Sequence, residues 1–161
     1  MLTFQEAQPA DLDQIMTIEN QGFNQDEAAT RPSMAERIKR ISDTFIVAKE
    51  DNRVLGYVVG PASDERYITD DLFEHLEANQ QTDRYQTILS LAVEAKFQKH
   101  GLAGNLLTKL AEVARSQGRE AITLTCLERL VPFYERHGYV NEGVSESTHA
   151  GETWYNLVLT L

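Results

Sequence analysis

The chain is short of cysteine, proline and positive charge, and each shortage excludes something. A single cysteine, Cys126, rules out an intramolecular disulfide and a cysteine-based zinc site. Four prolines and nine glycines in 161 residues are too few for a low-complexity or disordered chain. Lys and Arg number 15 against 25 Asp and Glu, a formal net charge of -10. Nucleic-acid binding needs clustered cations to neutralise phosphates, so that class is set aside. An acidic surface suits a cationic ligand, and it suits solubility equally well. No apolar run approaches the ~18 residues of a membrane span. The start, MLTFQEAQPADLDQI, has neither the basic region nor the apolar core of a signal peptide. A cytoplasmic protein with no membrane partner is the expectation.

What is present is ordinary for a globular protein: 42% hydrophobic and 25% charged residues. The length fits one domain over 1–161, which buries about 70% of the unfolded chain's surface without a staple.

Alternation predicts a strand at 2–7, and a three- and four-residue apolar spacing from Leu12 to Phe23 predicts a helix. A second helix over 33–41 is expected, with Ser33 as N-cap and Glu36 closing a capping box. Runs 44–49 and 53–60 read as a hairpin around Glu50-Asp51-Asn52. Residues 61–84 are acidic and polar with a short helical pattern at 70–78, a long insertion of the kind that is functional or mobile. The nearly continuous apolar run 85–94 reads as one central strand. A helix over 102–117, a strand at 120–126, a helix over 128–137 with Pro132 in its first turns, and strands at 139–147 and 152–160 complete the chain. The order β-α-α-β-β-β-α-β-α-β-β implies an α/β (α+β) domain. It has a mixed, mostly antiparallel central sheet of about seven strands, flanked by about four helices.

The segment Gln98-Lys99-His100-Gly101-Leu102-Ala103-Gly104 joins the central strand to a helix. Such a loop aims backbone N–H groups and the positive end of the helix dipole at an anion. Gly101, Ala103 and Gly104 let a phosphate come close, and Lys96 and Lys99 add charge. The pattern is neither a dinucleotide fingerprint nor a P-loop.

It resembles the Q/R-x-x-G-x-G/A motif of the Gcn5-related N-acetyltransferases, through Gln98, Gly101 and Ala103. Three further elements stand in the family's order. Leu91-Ala92-Val93 matches the L-x-V strand end. Phe133-Tyr134 with Gly138-Tyr139 matches the aromatic pair and G-[FY] exit. Trp154-Tyr155-Asn156-Leu157 matches the last strand. Within that superfamily the pattern is closest to the arylalkylamine (serotonin-type) enzymes, through LAV at 91–93, LVPFYERHGY at 130–139 and the acidic insertion. The resemblance implies acetyl transfer from acetyl-CoA to an amine. The coenzyme would be held by Leu91, Ala92, Val93, Gln98, Lys99, His100, Gly101, Leu102, Ala103, Gly104 and Phe133. Tyr134 would be the general acid toward the departing thiolate, and the Val93 N–H the donor to the thioester carbonyl.

A primary amine has a pKa near 10.4, so only about one molecule in ~10³ is free base at pH 7. The relatives' His-x-His pair falls on Thr87 and Leu89 here, and the strand-four glutamate of histone-type enzymes also falls on Thr87. Neither residue is a base. Glu27, Glu65, Asp70, Asp71, Glu74, His75 and Glu128 remain as candidates, beside a water path to solvent. His100 is assigned to phosphate and His137 to a helix C-terminus, and no histidine spacing indicates a metal ligand. Cys126 reads as a small core residue rather than a nucleophile. The acceptor is expected to be a small-molecule amine; the acidic insertion would suit a cationic or polycationic one, and a solvated lid equally well. The alternatives are a protein or peptide amine, or a non-catalytic acetyl-CoA sensor. The last two strands offer an edge for a homodimer.

Overall fold

The structure, a computed structural model, describes residues 1–98 and 100–161. Lys99 of the expected phosphate loop lies outside the described residues. The chain runs β1 (Leu2–Glu6), α1 (Leu12–Gly22), α2 (Arg31–Arg40), β2 (Phe45–Glu50), β3 (Arg53–Val59), β4 (Ala62–Ser63) and α3 (Asp71–Glu74). It continues through β5 (Tyr85–Ile88), β6 (Ser90–Val93), α4 (Leu102–Ser116), β7 (Ala121–Leu127), α5 (Val131–Arg136), β8 (Val140–Val144) and β9 (Trp154–Thr160). The α+β architecture follows the expected order. No helix among the described residues is long and apolar enough to cross a membrane.

The expected single sheet is two: β1-β2-β3-β6 and β4-β5-β7-β9-β8. The run 85–94 is not one strand. It breaks at Leu89, whose N–H donates to Val59 O at 2.8 Å, while the Thr87 N–H donates to Pro61 O at 3.0 Å. β6 stays antiparallel to β3, and β5 pairs parallel to β7. Gly60 permits the crossing, because a Cβ there would lie 2.1 Å from Thr87 O. β6 and β7 have separated into different sheets, with a gap between them.

Helices cover both faces. Ile15, Ile18, Met34, Ile38 and Ile41 of the α1–α2 side bury Phe45, Val47, Tyr57 and Val59. On the other side the α4 stripe Leu102, Leu106, Leu107, Leu110, Ala111 and Ala114 packs on Ile46, Ala48, Leu55 and Val58 of the first sheet and Ile122 and Leu124 of the second. Each large aliphatic side chain so buried contributes about 1.5–3 kcal/mol. Asp51 and Asn52 both adopt positive φ, 51° and 68°, the two-residue turn whose twist suits a β2–β3 hairpin.

Several boundaries differ from the expectation. α2 is capped by Thr30, whose hydroxyl accepts the Ser33 N–H at 3.3 Å, so Ser33 lies inside the first turn. Pro32 belongs to that turn, where its missing N–H is tolerated. The helical pattern at 70–78 shrinks to Asp71–Glu74, with no buried residue to hold more. The helix expected over 128–137 is a 3-10 turn, Glu128–Leu130, followed by α5. β8 ends at Val144 after an irregularity between Asn141 and Val144.

Candidate active site

The gap between β6 and β7 opens a cleft lined by Phe23, Glu27, Leu89, Ser90, Leu91, Thr125, Cys126, Tyr134 and Trp154. The Glu94 N–H donates to Leu55 O at 2.8 Å. Alternation along an antiparallel strand then turns the backbone of Ser90 and Ala92 toward β3, and that of Leu91 and Val93 toward the gap. The Ala92 side chain packs into the α1–α2 core, so of the three expected residues only Leu91 and Val93 offer groups to the cleft.

The loop after β6 borders a second hollow of about 220 Å³, lined by Val93, Phe97, Gln98, Gly101, Leu102, Ala103, Gly104, Phe133 and His137. Gly101 has φ 77°, and among the described residues nothing lies within 4 Å of where a Cβ would stand, at the N-terminus of the 15-residue α4. That combination fits a phosphate group. The Gln98 amide donates to Val93 O at 3.2 Å and ties the loop back to the strand. His100 and Lys96 are exposed, and neither lines this hollow. Gly104 also sits close to His137: a Cβ there would lie 2.7 Å from His137 Cε1, so the imidazole would have to move. His137, expected only to cap a helix, packs at 4.8 Å against the Phe133 ring and helps to wall this hollow.

Tyr134 lines the cleft and the adjacent Phe133 lines the second hollow; the Tyr134 ring is edge-on to Phe133 at 5.0 Å and to Tyr139 at 5.6 Å. Burial, and then Cys126 beside it, push its hydroxyl above the ordinary tyrosine range, so it remains protonated at neutral pH. Cys126 is buried, and burial pushes its thiol up to about 12. It lines the cleft but is the opposite of an activated nucleophile.

Of the candidate bases, only Glu27 lines the cleft with Tyr134. Its carboxylate meets that of Glu152 from the turn before β9, a hydrogen bond that holds the Glu152 carboxyl above its usual range. Glu65 and Asp70 line a neighbouring cavity. Asp71, Glu74 and His75 are exposed on α3, their ligand atoms within 4.8 Å of one another, as one helical turn brings about by itself. Glu128 is exposed. Thr87 is buried, and its hydroxyl donates to Pro61 O at 2.6 Å; Leu89 forms cleft wall.

A buried polar network beneath the cleft escaped the sequence reading. Glu19, 1% exposed, accepts from the Tyr57 hydroxyl, from Ala29 N–H at 2.8 Å and from Ser90 Oγ at 3.4 Å. Arg37 donates to Ser90 Oγ at 3.3 Å. The signal was present: Glu19 falls four residues after Ile15 on the apolar face of α1, and Arg37 three after Met34 on that of α2.

The insertion 61–84 lies against β8 and the turn that follows it. The Arg66 guanidinium donates to Glu142 through two bonds, 3.0 and 2.7 Å, and the Tyr67 hydroxyl donates to the same carboxylate at 2.7 Å. Ser147 Oγ donates to Asp70 Oδ1 at 2.5 Å, and Phe73 stacks on His149 at 6.1 Å. These contacts tie the insertion to β8 and to the segment between β8 and β9.

Comparison with known proteins agrees with this geometry. The model of the acetyltransferase (GNAT) family matches residues 11–139. No curated protein matches the sequence. Among solved structures, Ard1 from Thermoplasma volcanium superposes with a TM-score of 0.80 at 17% identity, over 99% of this chain and 97% of that one. The loading GNATL domain of CurA from Lyngbya majuscula gives 0.85 at 13% identity, over 99% and 98%. The GNAT-like decarboxylase GphF, in complex with isobutyryl-CoA, gives 0.84 at 15%, over 98% of each. Likeness at such identities speaks for the fold. With the family model spanning most of the chain, from α1 through α5, this protein belongs to the acetyltransferase (GNAT) family.

Proposed function

We propose that this chain, an acetyl-CoA-dependent acetyltransferase by family, acetylates the amine of a small cationic molecule by direct attack in a ternary complex. The observation that carries the small-molecule reading is the insertion 61–84, clamped to Glu142 and Ser147 across the acceptor face. A peptide amine needs an open groove there, and this roof stands against it. The resemblance to arylalkylamine enzymes supports the same reading through that insertion.

In this reading the outward backbone of Leu91 and Val93, the Gln98–Gly104 loop and Phe133 hold the coenzyme. The Val93 N–H faces the thioester oxygen, where negative charge develops. The Tyr134 hydroxyl donates its proton to the departing sulfur. Glu27 receives the proton of the incoming ammonium, and Thr87, tied to Pro61, plays no part in that transfer. Lys96 and Lys99, expected from the sequence, would add positive charge to this loop, and His100 is assigned to phosphate. Direct attack is favoured over an acetyl-cysteine because the Cys126 thiol is held protonated.

The test is coenzyme A release from acetyl-CoA across arylalkylamines, polyamines, aminoglycosides, amino acids and short peptides, with Tyr134→Phe alongside. A general acid contributes about 10²–10⁴-fold. Tyr134→Phe is therefore expected to lose at least ~10²-fold in kcat while acetyl-CoA binding by calorimetry is retained. Turnover of peptides alone overturns the small-molecule reading. Acetyl-CoA binding with no turnover of any amine, and indifference to Tyr134→Phe, leaves a sensor instead.

A further inference from the structure

Among the residues lining the hollow of about 220 Å³ between the loop before α4 and helix α5, only Gln98 and His137 carry polar side chains. The Gln98 amide N–H is spent on Val93 O. His137 is then the side chain left to donate into the hollow, where its sequence position suggested only a helix end. We infer that His137 is a coenzyme-binding residue: its imidazole donates to a phosphate oxygen of the coenzyme seated before α4, so that coenzyme affinity follows the charge of the ring. The inference rests on the placement of the coenzyme proposed above and is independent of the acceptor.

Position comes first. His137 directly follows the last residue of α5, and its ring reaches the first turn of α4. A Cβ on Gly104, the third residue of α4, would lie 2.7 Å from Cε1, 3.4 Å from Nε2 and 3.5 Å from Nδ1. Both ring nitrogens therefore stand beside the turn whose free N–H groups suit an anion. The ring is also packed on Phe133, with centroids 4.8 Å apart. A side chain already held in this way has less freedom to lose when a ligand binds.

Unspent capacity is the second observation. Among the described residues no hydrogen bond or ion pair ends on the imidazole. The first turn of α4, Leu102–Asn105, carries no titratable side chain, and the segment before it supplies Lys96, Lys99 and His100. The charged neighbours on α5 are Glu135 and Arg136, of opposite sign and both exposed. Burial pushes the Tyr134 and Tyr139 hydroxyls up, so both phenols stay neutral. A cation beside a helix N-terminus is disfavoured by the dipole. A phosphate seated between them attracts both, and a charged imidazole offers it two donors where a neutral one offers one.

Coenzyme A binding to the full chain is measured by calorimetry from pH 5.5 to 8 for wild type, His137→Phe and His137→Lys. Phenylalanine keeps a ring against Phe133 and has no N–H; lysine keeps a cation across the whole range. Histidine is the side chain whose charge changes between pH 5 and 8. His100 and the coenzyme's own phosphates are common to all three proteins, so differences between the proteins isolate residue 137. At pH 5.5 His137→Phe is expected to bind about tenfold more weakly than wild type, the worth of one charge-assisted hydrogen bond. The gap should narrow toward pH 8 and shrink as salt is raised. His137→Lys should recover most of the affinity and keep its advantage over His137→Phe at pH 8. Pantetheine, which has no phosphate, should bind all three alike, with thermal unfolding checking that each variant is folded. Equal coenzyme A affinity in the three proteins, a lysine variant as weak as the phenylalanine one at every pH, or an equal loss of pantetheine binding overturns the role of His137 and leaves the coenzyme site standing. No coenzyme A binding by wild type overturns the placement of the coenzyme and this role with it.

Discussion

Replacing Glu19 by glutamine probes the buried network under the cleft. The carboxylate accepts from Tyr57, Ala29 and Ser90, and the Arg37 guanidinium reaches it through the Ser90 hydroxyl. Arg37 is 4% exposed; burial lowers its pKa, and Glu19 works against that. Burial, and next Glu19, raise the pKa of Tyr57, so its hydroxyl remains a donor throughout the neutral range. Glutamine keeps the shape of the side chain. It sets an NH2 group against one of the donors and leaves Arg37 without a counter-charge. Removing one partner of a buried pair costs about 3–5 kcal/mol. One hydroxyl separates the charges here, so the lower end, about 3 kcal/mol, is expected. A domain is stable by about 5–15 kcal/mol, so the variant folds, and urea unfolding followed by Trp154 fluorescence measures the loss. Adding Arg37→Met removes the stranded charge and should recover most of it. The Ala29 N–H anchors the loop that carries Glu27, and Ser90 lines the cleft. Glu19→Gln is therefore also expected to raise KM for the amine more than for acetyl-CoA. A loss below about 1 kcal/mol, the worth of an ordinary hydrogen bond, with Arg37→Met adding further loss, refutes the buried-charge reasoning.

Three further outcomes are expected. Gly60→Ala drives a Cβ into Thr87 backbone, and since backbone has no rotamer to yield, it should cost about 3 kcal/mol in chemical denaturation. With its pKa near 12, Cys126 in the native protein should alkylate roughly a thousandfold more slowly at pH 7 than a free thiol; iodoacetamide labelling followed by mass spectrometry measures this. The Glu152 pKa is raised in the folded protein by its bond to Glu27. The stabilising contact between the two loops is thus fully present below the unfolded glutamate pKa of about 4.3 and is lost as pH rises through the raised native value. Hydrogen exchange of residues 24–30 across that range should show the loss, and Glu152→Gln should remove the pH dependence.

What was legible in the sequence was local. The alternation of Leu91 and Val93 and the glycine of the loop at 101 depend on neighbours a few residues away, as does the stripe from Leu102 to Ala114. Each appears where its spacing puts it. The Asp51–Asn52 turn is of the same kind. The break at Leu89 was not legible. The run 85–94 carries no turn signal, and the approach of Gly60 and Pro61 to Thr87 divides it. The candidate bases could not be ranked either. Glu27 and Glu65 are both acidic loop residues in the sequence, and the fold alone sends one to the cleft and the other to the neighbouring cavity.

The sequence by itself determined the class of fold, the glycine loop before α4 and the aromatic helix that carries Tyr134, because hydrophobic period, glycine and capping chemistry act within a turn or a strand. The tertiary structure alone decided which candidate carboxylate lines the cleft with Tyr134, that Glu19 and Arg37 are buried around Ser90, and that the insertion is tied to Glu142 and Ser147. Those contacts join residues tens of positions apart. Nothing in the local pattern at either end specifies them until packing brings the two ends together.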